Sequence, residues 1–265
     1  MVVRRRGRRL VASAAFIYTS VTVIVWLLAD RFLFPREPAS YADGPDIVKL
    51  STRDGARISA VHLVRPDAPF TVLFSHGNAE DLGDLRPELE RVRASGFSVL
   101  AYDYRGYGTS EGRPSERAIY QDVDAAFALL RSKGVPSRRV LVYGRSIGGG
   151  PSVDLAARED VGGLILESAF TSAFRVVTRV RLFPFDAFDN LAKLPRVKAP
   201  VLVMHGTADR VVPIRHGRAL FDVARTEKRA LWVEGAGHDN LPWMAGDAYG
   251  KALQEIAALA AARGR

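Results

Sequence analysis

A serine in a glycine-flanked turn is the strongest chemical signal in this sequence. Ser146 is the centre of GRSIG, residues 144–148, directly after an apolar run and directly before a helical segment. A G-x-S-x-G sequence in a strand–turn–helix setting is typical of a nucleophile elbow, in which a strained turn lifts the hydroxyl clear of the sheet. The alternative interpretation is an ordinary glycine-rich turn.

A serine hydroxyl is a weak nucleophile until a base accepts its proton. Of the five histidines, His238 lies in a loop after the last predicted strand, where its side chain can reach over the edge of the sheet. We therefore predict that His238 is the base. His62 lies within a strand, and His76 and His205 end strands, so we expect packing roles for these three. His216 lies in a helix, and we expect it to face solvent.

The base needs an acid that holds its tautomer and stabilises its charged form. Asp209 follows the predicted strand at 201–204, and the chain order serine, aspartate, histidine is the order found with nucleophile elbows. Asp103 opens a glycine-rich turn, for which a turn or capping role is better suited. Asp239 would have to fold back onto its own neighbour, so we predict Asp209 as the acid.

Two backbone N–H donors would have to face the oxygen that becomes negative during reaction. Ile147 supplies one, since it follows the serine. The second is expected from the loop after the strand at 71–75, where Gly77 lets the backbone come close and Asn78 is the favoured donor. Sequence alone leaves open which N–H points inward, and Asn78 could also cap a following helix.

The elements that must position these residues alternate between strand and helix along the chain. Two strands at 47–51 and 57–64 predict an antiparallel pair, and clear helical periodicity occurs at 115–133 and 247–261. The remaining predicted strands are short apolar runs at 71–75, 98–102, 140–143, 163–166, 201–204 and 230–233. This alternation is typical of a mostly parallel sheet, here with eight strands, covered by helices on both faces.

One segment, residues 171–195, fits neither periodicity. It has several phenylalanines in or beside it, namely Phe170, Phe174, Phe183, Phe185 and Phe188. We interpret it as a short lid that lines an acyl pocket, with ordinary packing over the sheet as the alternative. Arg145, directly before the serine, is expected to pair with a neighbouring carboxylate.

The N-terminus carries a second, independent signal. Five arginines within residues 1–9 precede an apolar run at 10–29 that contains no charged residue, and about 20 such residues suffice to cross a bilayer. Leu27 and Leu28 make a poor cleavage site, so an uncleaved signal anchor is favoured over a removed signal or a twin-arginine export signal. The arginines should remain cytoplasmic and the rest of the chain should cross to the periplasmic or extracytoplasmic side.

Composition limits the remaining possibilities. The 265 residues are 48% hydrophobic and 25% charged, which fits a basic segment at 1–9, the anchor at 10–29, a linker at 30–45 and one catalytic domain at 46–265. With no cysteine, disulfides and thiolate metal sites are excluded. The net charge of +9 comes largely from the N-terminal arginines, so we do not expect nucleic-acid binding.

From about residue 46 to 260 the chain resembles one branch of the α/β-hydrolase superfamily. The matching stretches are FSHGNAEDLG, DYRGYG, SEGRPSERAIYQDVDAAF, YGRSIGGGPSVDLAAR, MHGTADRVVP and LWVEGAGHDN. This branch includes the bud-emergence (BEM-like) proteins and animal serine hydrolases that remove palmitoyl groups from protein cysteines. The resemblance implies a nucleophile at Ser146, an acid at Asp209, a base at His238 and an oxyanion donor near Asn78. The palmitoyl-removing enzymes have a lipidated, cysteine-rich N-terminus, and this chain has an apolar segment there instead.

These observations predict a membrane-anchored serine hydrolase that cleaves a small-molecule or lipid ester or thioester through an acyl-serine intermediate. No metal or organic cofactor is expected, and the sequence makes no prediction of oligomeric state. An exopeptidase or amidase on the same three residues is one alternative, and a non-catalytic, membrane-tethered binding protein is another.

Overall fold

The central sheet in this computed structural model, which describes residues 2–35, 37–178 and 182–263, has eight strands. The strands are Ile47–Ser51 (β1), Arg57–Leu63 (β2), Thr71–Ser75 (β3), Ser98–Tyr102 (β4), Val140–Arg145 (β5), Gly163–Glu167 (β6), Val201–Gly206 (β7) and Lys228–Val233 (β8). They run in the order β1-β2-β4-β3-β5-β6-β7-β8, with β1, β2 and β4 paired antiparallel and all other neighbours parallel. The prediction of a mostly parallel, eight-stranded sheet is confirmed.

The inner strands consist mostly of apolar residues because helices cover both faces of the sheet. Every residue of β3, β4, β5, β6 and β7 is buried. Some strands extend further than their apolar runs: β5 continues to Arg145, which pairs with Glu167, and β7 continues to Gly206, which pairs with Val233. Arginine and glycine do not extend an apolar run, so a prediction from apolar residues alone places the ends of these two strands too early.

Helices cover the sheet and divide the core into two clusters, one on each face. Ser115 caps the helix Glu116–Ser132 (α3) by accepting a hydrogen bond from the Ala118 N–H at 3.2 Å, which explains why this helix begins where the sequence predicts. The helices of the domain are Arg86–Ala94 (α2), Glu116–Ser132 (α3), Gly149–Arg158 (α4), Ala173–Val177 (α5), Asn190–Lys193 (α6), Arg215–Val223 (α7), Leu241–Ala245 (α8) and Asp247–Arg263 (α9).

One long helix, α1, precedes the sheet and spans Val2–Leu33. Its segment Val11–Arg31 has a mean hydropathy of 2.0 and is 0% buried, so it is long and apolar enough to cross a membrane. The helix continues beyond the predicted anchor at 10–29, and the residues that follow it lie against the domain. Phe34 is buried, and the Tyr41 hydroxyl donates to Asp103 Oδ2 at 2.6 Å.

The predicted lid segment lies beyond the end of β6 and contains α5 and α6. Its residues 179–181 fall outside the described part of the chain. Phe174, Phe183 and Phe185 form an aromatic cluster, with ring centroids 5.6 to 6.1 Å apart. Phe170 and Phe188 are buried in the core, so these two rings pack as the alternative interpretation expects.

Candidate active site

The turn after β5 holds Ser146 in a strained conformation. Its φ of 52° lies in the left-handed region, which costs a non-glycine residue free energy and persists only where surrounding structure enforces it. Close packing enforces it here, because a Cβ at Gly148 would overlap the carbonyl oxygen of Ser75 and a Cβ at Gly144 would overlap that of Gly148. The predicted elbow is therefore present, followed by a single turn of 3-10 helix and then α4.

The structure brings the predicted serine, histidine and aspartate into one hydrogen-bonded chain. His238 Nε2 lies 3.0 Å from Ser146 Oγ, and His238 Nδ1 lies 2.8 Å from Asp209 Oδ2. They follow β5, β7 and β8, whose carboxyl ends meet at one edge of the sheet. At this edge open parallel sheets bind their ligands.

The Asp209 carboxylate is held from several sides. Its Oδ1 accepts hydrogen bonds from the N–H groups of Val211 and Val212 at 2.9 and 2.8 Å. Burial alone would raise the pKa of Asp209, but hydrogen bonds from His205 and His238 outweigh it and hold the pKa well below its usual range. Asp209 is therefore ionised and can stabilise a positive charge on His238.

The loop after β3 presents Asn78 next to the turn that follows β5. The Asn78 amide donates to the Leu33 carbonyl at 2.9 Å, and its Oδ1 accepts from the Tyr107 hydroxyl at 2.6 Å. Because both ends of the side chain are engaged, the backbone N–H of Asn78 is the group left for an oxyanion. Within the described residues, neither this N–H nor that of Ile147 donates to an acceptor in a loop, turn or cap. Asn78 does not cap a helix, since α2 begins only at Arg86.

Arg145 pairs with carboxylates, as the sequence analysis expects, but with more than one of them. Its Nη1 lies 2.8 Å from Glu88 Oε2 and 3.0 Å from Glu80 Oε1. Its Nε lies 3.7 Å from Glu167 Oε1. Sequence analysis did not identify these three glutamates as neighbours of the site, because they come from α2, the β3 loop and β6.

Among the other histidines, His76 and His205 are buried and packed as expected. The Nε2 atom of His205 lies 2.7 Å from the Val212 carbonyl oxygen. The expectation for His216 is wrong, because it is buried and its Nδ1 lies 3.0 Å from Thr171 Oγ1. Burial lowers the pKa of His216 to about 4. Helical periodicity could not reveal this, since the residues that cover His216 follow β6.

Asp103 is buried, and its Oδ1 accepts a hydrogen bond at 3.0 Å from the N–H of Leu82, which lies in another loop. Asp239 is 79% exposed at its side chain and lies against Arg145 rather than against the imidazole. Of the candidate acids, Asp209 is therefore the one hydrogen-bonded to His238.

This arrangement can take a proton from a serine hydroxyl, hold the resulting imidazolium beside an ionised carboxylate, and offer backbone N–H groups to a developing oxyanion. That chemistry is acyl transfer to water. Over residues 2–35, 37–178 and 182–263, no cluster of three or more histidine, aspartate or glutamate side chains could hold a metal ion.

Comparison with known proteins identifies close relatives. The Caenorhabditis elegans protein "Alpha/beta hydrolase domain-containing protein aho-3" is 42% identical over 224 residues, which cover 81% of this chain and 66% of the relative. Xenopus tropicalis alpha/beta hydrolase domain-containing protein 17B is 42% identical over 219 residues, covering 81% of this chain and 74% of the relative. The chain therefore spans about two thirds to three quarters of these relatives.

A family model and a solved structure extend the comparison. The model described as serine aminopeptidase, S33, matches residues 66–185. A Pyrococcus furiosus esterase shares the fold with a TM-score of 0.69 at 17% identity, covering 84% of this chain and 96% of the esterase. Together with the extent of the 42% identity, these findings show that the chain belongs to the alpha/beta hydrolase domain-containing protein 17 family and is a serine hydrolase.

Proposed function

We propose that the protein is a membrane-anchored hydrolase that cleaves a carboxylic ester or thioester through an acyl-serine intermediate. The observation that carries this proposal is the continuous hydrogen-bonded chain from Ser146 through His238 to Asp209. In the first half-reaction Ser146 Oγ attacks the acyl carbon while His238 Nε2 accepts its proton. The N–H groups of Asn78 and Ile147 stabilise the tetrahedral oxyanion.

Collapse of that intermediate breaks the bond to the leaving group. His238 donates its proton to the departing alcohol or thiol, and the acyl group stays on Ser146. Water then attacks the acyl-enzyme while His238 accepts a proton from it. The carboxylic acid leaves when the bond to Ser146 Oγ breaks, and His238 returns the proton to that oxygen. Asp209 keeps its negative charge throughout and stabilises each imidazolium.

The lid segment supports an acyl substrate with apolar character. Phe174, Phe183 and Phe185 form a partly exposed aromatic cluster that follows β6, at the sheet edge that carries Ser146. An aromatic wall there would bind a hydrocarbon chain by excluding water from it. A thioester is included because the sequence resembles hydrolases that remove palmitoyl groups from cysteine.

The membrane part of the proposal rests on α1. Its segment Val11–Arg31 exposes its apolar side chains, and the arginines before it favour a cytoplasmic N-terminus. The catalytic domain then lies on the periplasmic or extracytoplasmic side. Membrane fractionation followed by protease treatment of spheroplasts, whose cytoplasmic membrane is intact, and of lysed spheroplasts tests this arrangement, which fails if the domain is cleaved only after lysis.

A fluorophosphonate probe tests the catalytic proposal directly. The full chain in detergent is treated with the probe and the modified residue is identified by mass spectrometry, in wild type and in Ser146→Ala. We expect labelling at Ser146 in wild type and none in the variant, because an unactivated serine does not react. As a control, Ser132→Ala at the end of α3 should label like wild type. A folded wild type that is not labelled would overturn the proposal.

A serine exopeptidase or amidase is the second candidate function, because the matching family model is described as a serine aminopeptidase. The same residues could cleave an amide, provided the leaving amine is protonated. Comparing an acyl ester with the amide of the same acid separates the two functions. Faster hydrolysis of the amide would favour the peptidase.

A further inference from the structure

The guanidinium of Arg145 contacts four carboxylates that belong to four different parts of the site. Glu80 lies in the loop after β3, Glu88 on α2, Glu167 at the end of β6, and Asp239 directly after His238. Arg145 itself directly precedes the proposed nucleophile. The Arg145 side chain therefore contacts both the loop that carries a proposed oxyanion donor and the loop that carries the proposed base.

The contact with Glu80 continues to the backbone of the oxyanion loop. While Glu80 Oε1 lies 3.0 Å from Arg145 Nη1, Glu80 Oε2 accepts a hydrogen bond from the Gly77 N–H at 2.9 Å. The N–H that Glu80 holds belongs to the peptide between His76 and Gly77, and the Asn78 N–H belongs to the next peptide along the chain. Arg145 is thereby linked, through a single carboxylate, to the peptide directly before the one that carries a proposed oxyanion donor.

The link to the histidine loop is weaker. Asp239 Oδ1 lies 3.4 Å from Arg145 Nη2, and the Asp239 side chain is 79% exposed. Ion pairs as exposed as this contribute little, because water screens them. The principal effect of Arg145 should therefore fall on the oxyanion loop rather than on the base.

The burial and charge of Arg145 and its carboxylate partners indicate that these contacts fix the positions of the groups more than they stabilise the fold. Arg145, Glu88 and Glu167 are all buried. Burial, reinforced by the charge of Glu167, raises the pKa of Glu88, and burial also raises the pKa of Glu167, while the Arg145 guanidinium opposes both shifts. Buried ion pairs of this kind often add little net stability compared with apolar side chains, whereas they can fix one arrangement of the groups.

We propose that Arg145 is a positioning residue, which holds the oxyanion loop in register with Ser146 through Glu80. This inference rests on the proposed function, since it assigns Arg145 a part in the same reaction. It predicts an effect on transition-state stabilisation, because the oxyanion exists only after the attack of Ser146. Substrate binding before that attack should depend on Arg145 much less.

The test measures kcat and KM for a soluble ester, together with the melting temperature, in full-length Arg145→Met. We expect kcat to fall roughly 10- to 100-fold, as for a donor displaced by a fraction of an ångström. KM should stay within about threefold of the wild-type value, as expected for an interaction made in the transition state. Arg145→Lys should restore only part of kcat, because lysine keeps the charge without the planar fork that spans two carboxylates.

A companion variant separates positioning from simple destabilisation. Removing Arg145 leaves Glu88 and Glu167 buried without their cation, so Arg145→Met can lower the melting temperature as well as kcat. In the double variant Arg145→Met/Glu88→Gln one of these carboxylates is gone, and the melting temperature should recover in part while kcat stays low. Glu80→Gln should also lower kcat, because it weakens the contact between Glu80 and Arg145. The control is Arg86→Met, which removes an exposed ion pair between α2 and Asp46 and should leave kcat unchanged.

Two results would overturn the inference while leaving the proposed function intact. One is a folded Arg145→Met with kcat within about twofold of wild type. The other is recovery of kcat together with the melting temperature in the double variant. If instead wild type neither hydrolyses esters nor is labelled at Ser146, the proposed function fails first, and the inference fails with it.

Discussion

At the scale of single residues, the two oxygens of Asp209 have different partners. Oδ1 accepts two backbone hydrogen bonds, from Val211 and Val212, while Oδ2 faces the imidazoles of His238, at 2.8 Å, and His205, at 3.4 Å. The backbone bonds fix the orientation of the carboxylate, so Oδ2 is always directed at the imidazole. Nδ1 of His238 must then carry a hydrogen, and Nε2 is left free to accept the serine proton.

This division of partners predicts the effect of Asp209→Asn. The amide oxygen should take the place of Oδ1, because two N–H donors point there, which leaves the NH2 group facing His238. Two donors then oppose each other, and the imidazole must move its hydrogen to Nε2, where it can no longer accept a proton from Ser146. We expect kcat to fall by on the order of 10³- to 10⁴-fold, measured with the same ester as wild type.

The control for Asp209→Asn is Asp222→Asn, which makes the same chemical change on the exposed surface of α7. It should leave kcat unchanged. If Asp209→Asn kept a tenth or more of wild-type kcat, another group would have to hold His238, and the assignment of the acid would be wrong.

At the scale of elements, the site was predictable wherever a local pattern marked the end of a strand. The strands before Ser146 and Asp209 are short apolar runs bounded by glycine or polar residues, so they can be located without a structure, although both continue past their predicted ends, to Arg145 and Gly206. Parallel strands bring their carboxyl ends to one edge, and three distant residues then meet without any further information. The contacts of Arg145 lacked such a pattern, because its partners Glu80 and Glu88 belong to segments whose packing the sequence does not reveal.

The lid segment is fixed at its base and more exposed at its aromatic cluster. Asp186 accepts hydrogen bonds from the Ser172 hydroxyl at 2.7 Å and from the Phe174 N–H at 3.0 Å. Phe183 and Phe185 stack with ring centroids 5.6 Å apart. This arrangement holds a compact aromatic surface in place in the segment that follows β6, and the proposed acyl pocket would use that surface.

Truncating that surface should change which acyl chains are preferred. In Phe183→Ala/Phe185→Ala we expect kcat/KM for long-chain esters to fall several-fold relative to short-chain esters, because each aromatic ring contributes roughly 1.5–3 kcal/mol of apolar burial at most. A series of p-nitrophenyl esters of increasing chain length measures the effect. Val177→Ala, in the same segment but 89% exposed, is the matched control. An unchanged preference would indicate that the cluster only packs over the sheet.

At the scale of the whole molecule, α1 is joined to the catalytic domain by packing as well as by the chain. The last carbonyl of the helix, on Leu33, accepts the amide of Asn78. Phe34 is 3% exposed and packs edge-on against Phe188, with ring centroids 6.1 Å apart. The sequence predicts a linker at 30–45 because prolines and charges are frequent there, and such a composition does not show that one aromatic side chain among them inserts into the core.

The packing of Phe34 predicts that residues next to the helix stabilise the catalytic domain. Replacing Phe34 by alanine leaves a cavity beside Phe188 and should cost about 3 kcal/mol of unfolding free energy, which corresponds to a melting temperature lower by roughly 10 °C. The full chain in detergent, followed by thermal unfolding, measures this. Phe16→Ala, on the exposed face of α1, removes the same ring without making a cavity in the domain. Equal melting temperatures for the two variants would show that the helix and the domain are joined only by a flexible chain.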